Sequence, residues 1–209
     1  EFFVPALTET LQLIKTRKAD KKTNNIVLSR KAALQGSSIE SKSEVKRIFV
    51  DMDGVLADFL TGCSKMIGQP LTNDAKGHSE YDKRKPELTN KRLFRNLPPM
   101  VDMYELIAYI KHTHLPWEIL SAAGSVNREL VVYDKVKWIG QYVDPSIVVT
   151  CTFNGRQKAM FAKSGSVLID DVKANIDAWE EAGGIGILHV SADDTINTLK
   201  ALRNPPSFH

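Results

Sequence analysis

Cysteine is scarce in this chain of 209 residues: Cys63 and Cys151 are the two present, and neither belongs to a CxxC pair. That excludes a disulfide framework and a thiolate zinc site, and both side chains read as reduced thiols, as in a cytoplasmic protein. The five histidines (His78, His112, His114, His189, His209) follow no zinc-ligand spacing. No apolar run nears the ~18 residues that span a bilayer, so no membrane helix is expected. The start, Glu1-Phe2-Phe3-Val4-Pro5, lacks the basic and long apolar regions of a secretory signal. Repeats and long low-complexity tracts are also missing. With 43% hydrophobic and 25% charged residues, a wholly disordered chain is excluded.

A large excess of one charge is lacking as well, since the net charge is +3. Its distribution is uneven. Residues 1–45 hold Lys15, Arg17, Lys18, Lys21, Lys22, Arg30, Lys31 and Lys42 against Glu1, Glu9, Asp20, Glu40 and Glu44. A basic arm over residues 1–44 is compatible with nucleic acid or with a solvated tether. Within it, Leu7, Leu11 and Ile14 fit a short amphipathic helix over 7–16, and residues 35–43 read as a linker. A domain boundary is placed near residue 44.

From Lys46 onward, short apolar runs alternate with helical patterns. The runs are Ile48–Val50, Trp117–Leu120, Ile147–Thr150, Val167–Ile169 and Ile185–Leu188. Between them, Met103, Leu106, Ile107 and Ile110 repeat at helical spacing. So do Val132, Val136, Ile139 and Val143, and also Val172, Ile176 and Trp179, which run into Gly183-Gly184, a helix stop. This alternation predicts an α/β fold, a parallel sheet with helices on both faces. Ligands of such sheets sit beyond the carboxyl ends of the strands, so the residues that follow each run carry the chemistry.

Those residues are Asp51-Met52-Asp53-Gly54 after the first run, Ser121 after the second, and Asp170-Asp171 after the fourth, with Lys158 ahead of it. In a parallel sheet they meet at one edge. Carboxylates so gathered raise one another's pKa or demand a cation. An all-oxygen set selects a hard ion, and carboxylates with waters suit Mg2+. A metal, an ammonium and a hydroxyl around one carboxylate make a site for phosphate, whose charge would otherwise repel an attacking Asp.

Ile48-Phe-Val-Asp-Met-Asp-Gly-Val-Leu-Ala-Asp-Phe59, Ile119-Leu-Ser121, Lys158 and Val167-Leu-Ile-Asp-Asp171 resemble the four motifs of the haloacid-dehalogenase-like (HAD) phosphohydrolases. The likeness is strongest to the 5'(3')-deoxyribonucleotidase branch, which shares the DMDGVLADF start and a Lys-x-x-Trp stretch, here Lys135-Val-Lys-Trp138. It covers roughly residues 46–202. The resemblance implies a Rossmann-like core with a small, mainly helical cap inserted after the first strand, about residues 59–99. It implies Asp51 as nucleophile, forming an aspartyl-phosphate, and Asp53 as acid and then base. Mg2+ would be held by Asp51, the carbonyl of Asp53, and Asp170, with Asp171 as a supporting acid. Ser121 and Lys158 would bind phosphate, with Lys163 a rival for the lysine role. In the cap, a ring among Phe59, Tyr81 and Phe94 could stack a nucleobase, or Phe59 and Phe94 are core. The cluster Lys83, Arg84, Lys85, Lys91, Arg92 and Arg95 either meets phosphate or is solvated.

The expected activity is Mg2+-dependent hydrolysis of (deoxy)nucleoside monophosphates. A phosphatase on nucleic-acid 3' or 5' ends, held through the basic arm and cap, is the alternative. A silent binding or structural module with this fold is a third reading. No membrane partner is expected, and a homo-oligomer is left open.

Overall fold

A computed structural model describes residues 44–203. The arm, its helix at 7–16, the linker and the boundary near residue 44 lie outside or at the margin of these residues.

Five short strands form one parallel sheet: β1 (Arg47–Val50), β2 (Trp117–Ala122), β3 (Val149–Thr152), β4 (Ser166–Asp170) and β5 (Ile185–Leu188). Their spatial order is β3-β2-β1-β4-β5. The helices are α1 (Phe59–Ile67), α2 (Ala75–Asn90), α3 (Met103–His112), α4 (Arg128–Tyr142), α5 (Lys173–Glu181) and α6 (Ala192–Arg203), with 3-10 turns at Leu93–Arg95 and Gly155–Phe161. This is the expected Rossmann-like α/β architecture, and its helical insertion follows β1.

The apolar runs become strands because the central strands are covered on both faces, which asks for continuous rather than alternating hydrophobicity. Ile48 and Val50 join the main core, while Phe49 faces a second cluster with Leu120, Leu168, Ile176 and Trp179. Two boundaries shift from the sequence reading. The third strand is Val149–Thr152 rather than Ile147–Thr150, and the second runs on through Ser121 to Ala122.

The α4 helix is present, and its buried face is only partly the expected stripe: Ile139 is buried, and Val132 and Val143 pack half-buried against the core. Val131, Asp134, Lys135, Trp138 and Ile139 are buried, and Val136 is exposed. The reason is that two charged residues occupy core positions and are held there by partners, a pattern that hydrophobic periodicity cannot register. Val172 is likewise exposed, at the start of α5, and Ile176 and Trp179 alone of that stripe are buried.

The insertion leaves and re-enters the core at one place. Asp58 N–H donates to the Pro98 carbonyl at 2.8 Å, and Met100 N–H to the Leu56 carbonyl at 2.8 Å. These bonds close the base of a loop that carries α1, α2 and the first 3-10 turn. Asp58 caps α1 by accepting from Thr61 N–H, and Asp74 caps α2 by accepting from Gly77 N–H.

Candidate active site

With β1 central, the chain runs outward through β2 and β3, then crosses to the other side for β4. The sheet's switch point therefore lies between β1 and β4, where a crevice opens beyond the carboxyl ends. Val50 pairs with Ile169, and Asp51 N–H donates to the Ile169 carbonyl at 2.9 Å. The next residues, Asp51 and Asp170, are thereby set side by side.

Asp51, Asp170 and Asp171 each offer a carboxylate oxygen, and the three oxygens lie within 4.8 Å of one another. Lys158 joins two of them: its Nζ is 2.8 Å from Asp51 Oδ2 and 2.6 Å from Asp170 Oδ2. It reaches them from the second 3-10 turn, whose first residues are fixed by Asn154 Oδ1 accepting from Gln157 N–H. Burial pulls the Lys158 ammonium down, but Asp51 and Asp170 hold it above its ordinary range. Lys163, the rival, is exposed and has no ion pair among the described residues.

Asp170 is fully buried, and Asn175 Nδ2 donates to both of its oxygens, at 3.0 and 3.1 Å, while Val172 N–H donates to Oδ1. Burial and the Asp51 charge raise its pKa. Asp171 is pushed up to about 7, first by burial and then by Asp51 and Asp170. Its carboxylate lies against Gly54, where φ is +80° and a Cβ would collide with it. Gly54 thus supplies both a left-handed turn and the room for Asp171.

Asp53 faces a different partner. Its Oδ2 accepts from Lys135 Nζ at 2.5 Å, and its Oδ1 is buried without a hydrogen-bond partner among the described residues. Burial, the largest influence, raises its pKa, and the Lys135 charge works against that rise. Lys135 Nζ also donates to Ser121 Oγ at 3.0 Å and lies 4.7 Å over the Phe94 ring. Both Lys135 and Ser121 are essentially inaccessible.

All six expected residues (Asp51, Asp53, Ser121, Lys158, Asp170 and Asp171) therefore gather at one edge. The carboxylate of Asp53 lies with Lys135 and outside the three-oxygen cluster, and Asp171 lies inside it. Lys135 and Asn175 were not among the expected site residues. The sequence does carry a trace of Lys135, a lysine on the i, i+3, i+4, i+7, i+8 face that ends in Trp138 and Ile139.

The cap rings pack on one another. Phe59 and Tyr81 meet edge to face at 5.0 Å, Phe59 and Phe94 stack at 6.1 Å, and Phe94 is buried in the core. Phe94 is therefore a core ring rather than a free stacking surface. Three of the cap cations are paired: Arg84 with Glu80, Lys91 with Glu87, and Arg92 with the buried Asp134.

No known protein-family profile matches the chain, and no curated protein matches it in sequence. Among solved structures it is similar to hydrolases, several of them named as haloacid-dehalogenase-like. A haloacid-dehalogenase-like family hydrolase from Streptococcus pneumoniae aligns at 13% identity and a TM-score of 0.49, over 73% of this chain and 90% of that one. A hydrolase from Pseudomonas syringae aligns at 12% identity and a TM-score of 0.49, over 77% and 100%. A HAD hydrolase from Bacillus subtilis, bound to magnesium, aligns at 12% identity and a TM-score of 0.47, over 75% and 99%. What this site can do rests on its own geometry. Among the described residues no helix is long and apolar enough to cross a membrane.

Proposed function

We propose that this chain is a HAD-type phosphohydrolase that cleaves phosphomonoesters through Asp51 with a divalent cation. One observation carries the reading. Three carboxylates cluster at the switch point, a single buried lysine bridges two of them, and a fourth carboxyl group is held separately beside them.

The donor set fits Mg2+. Three carboxylates against one ammonium leave a surplus of two negative charges, which a divalent ion matches, and the ligands are all oxygen. Asp51, Asp170 and Asp171 would hold it, with the Asp53 carbonyl as a further oxygen. Bound there, the ion offsets the negative charge of the phosphate that Asp51 approaches.

The remaining chemistry belongs to the chain. Asp51 attacks phosphorus, so that an Asp–O–P bond forms as the bond to the leaving oxygen breaks. Asp53, whose neutral form is favoured by burial, gives its proton to that oxygen. It then takes a proton from water, which attacks phosphorus, freeing Asp51 and inorganic phosphate. Ser121 Oγ accepts from Lys135, so its own O–H is free to donate to a phosphate oxygen. Lys158 pairs with Asp51 and holds its carboxylate in place.

The substrate class we infer is (deoxy)nucleoside monophosphates, on the DMDGVLADF and Lys135–Trp138 resemblance. The Trp138 indole N–H donates to the Leu97 carbonyl at 2.8 Å, tying the helix of Lys135 to the far end of the cap. The test is a panel of dTMP, a 3'-phosphorylated oligonucleotide and an aryl phosphate, with and without Mg2+. Asp51→Asn is expected to lower kcat by at least on the order of a thousandfold with an unchanged fold. Ordinary turnover in that variant refutes the nucleophile, and no Mg2+-dependent turnover on any ester favours the silent module.

A further inference from the structure

Two cations converge on Gly124, three residues beyond Ser121 in the loop that follows β2. Lys85 comes from α2 of the insertion. Its Nζ approaches so closely that a Cβ on Gly124 would lie 2.9 Å from it. Gly124 has a φ of +68°, so the loop turns there with its bare Cα toward the ammonium. The same Nζ lies 5.5 Å over the Tyr81 ring, and Tyr81 packs on Phe59.

Arg128 comes from the first turn of α4. Its guanidinium donates to the carbonyls of Thr152 at 2.8 Å, Cys151 at 2.6 Å and Gly124 at 3.3 Å, and lies 4.1 Å over the Phe153 ring. These contacts lock it against the ends of β2 and β3. Neither Lys85 nor Arg128 meets a carboxylate among the described residues, whereas Arg84, Lys91 and Arg92 each do. Both are half-buried. A partly desolvated cation without a counter-ion is electrostatically unfinished, and an anion brought to it is held more strongly than in open water.

The position relative to Ser121 sets what that anion is. Three residues of chain span at most about 10 Å. Two phosphates carried by one nucleotide unit fall within that span. Resting on the phosphohydrolase reading above, we propose that Lys85, backed by Arg128, forms a second anion subsite, so that favoured substrates carry a second phosphate on the leaving side of the scissile ester. That group is either the other monoester of a nucleoside bisphosphate or the next phosphodiester of a strand. Lys85 lies on the insertion and Arg128 on the core, so such a substrate also bridges the two.

The experiment compares the full chain with Lys85→Gln and Lys85→Arg, in Mg2+, on thymidine 5'-monophosphate, thymidine 3'-monophosphate, thymidine 3',5'-bisphosphate and a 5'-phosphorylated thymidine dinucleotide. Selectivity is the ratio of kcat/KM for a doubly charged ester to that for the matching monophosphate. It is expected to fall on the order of tenfold in Lys85→Gln, through KM, and to be kept in Lys85→Arg, the size of one charge-assisted hydrogen bond. A preference for the bisphosphate identifies the free nucleotide as source, and one for the dinucleotide identifies the strand. A ratio that stays within twofold overturns the subsite while leaving the phosphatase reading standing. If the unmutated chain turns over none of the esters, that reading fails. Calorimetric binding of bisphosphate and monophosphate to the same proteins then decides the subsite separately. A tenfold weaker bisphosphate in Lys85→Gln supports it, and equal affinities overturn it.

Discussion

Replacing Lys158 by Met removes a cation from between two carboxylates while nearly keeping its volume. At an effective dielectric of ~20, each of its contacts, at 2.8 Å to Asp51 and 2.6 Å to Asp170, is a gross attraction of about 6 kcal/mol. Carboxylate oxygens within 4.8 Å of one another repel by roughly 3 kcal/mol per pair on the same scale. Most of the attraction is offset by the cost of desolvating Lys158, which is 1% exposed. What remains when one partner of a buried pair is deleted is about 3–5 kcal/mol. Urea unfolding of Lys158→Met without divalent ions is expected to show a loss of that size. Adding Mg2+ is expected to recover part of it, because the ion meets the same unpaired charge. The double variant Asp51→Asn, Lys158→Met is expected to lose less than the two single variants together, since each removes the other's unpaired partner. A loss below about 1 kcal/mol without Mg2+, or strict additivity in the double variant, would refute the charge balance argued for the cluster.

Lys135→Met removes the ion-pair partner of Asp53 and the donor to Ser121. In steady-state assays its kcat is expected to fall by ~10²–10³, the cost of one preorganised donor, and a loss below threefold would separate Lys135 from the chemistry. The elevated Asp171 predicts a pH effect on the metal-free protein. In the folded chain this carboxyl is pushed up to about 7 from 3.8, so between roughly pH 4 and pH 7 the folded state binds a proton that the unfolded state has released. Stability therefore declines as pH rises through that window and levels off above it. Mg2+ is expected to raise Tm more at pH 8 than at pH 5, because it binds the ionised cluster. Thermal melts on a pH series with and without Mg2+ check this, and a metal-free Tm that climbs from pH 5 to pH 7 would contradict it.

Much of the site was readable in the sequence for a simple reason. A parallel sheet delivers the residues after its strands to one edge, whatever their distance along the chain. Asp51, Asp53, Ser121 and Asp170 stand at or just beyond the ends of short, mainly apolar runs, and those runs mark strands through hydrophobicity. Lys158 was harder, because it stands on a 3-10 turn between strands, and only the motif resemblance raised it above Lys163. The edge strand β3 was misplaced by two residues because an edge is only half covered, and its apolar signal is correspondingly weak.

The insertion and α4 were less legible. Asp134 and Lys135 look like solvated residues in the sequence, yet they are buried, because Arg92 reaches one and Asp53 with Ser121 the other. Partners so distant in sequence make a buried charge tolerable, and no local pattern records them. In the same way, Phe94 became core, and Lys85 has no carboxylate partner among the described residues, through packing that periodicity does not encode.

By itself, then, the amino-acid order determined the alternation of strands and helices, and with it the acidic edge, since hydrophobic runs and the residues that stop them are local properties. The tertiary structure decided what each charge faces: Lys158 faces Asp51 and Asp170, Lys135 faces Asp53, and Lys85 faces the turn at Gly124. Electrostatic energy depends on distances across the fold, and those exist only once the strands have been brought side by side.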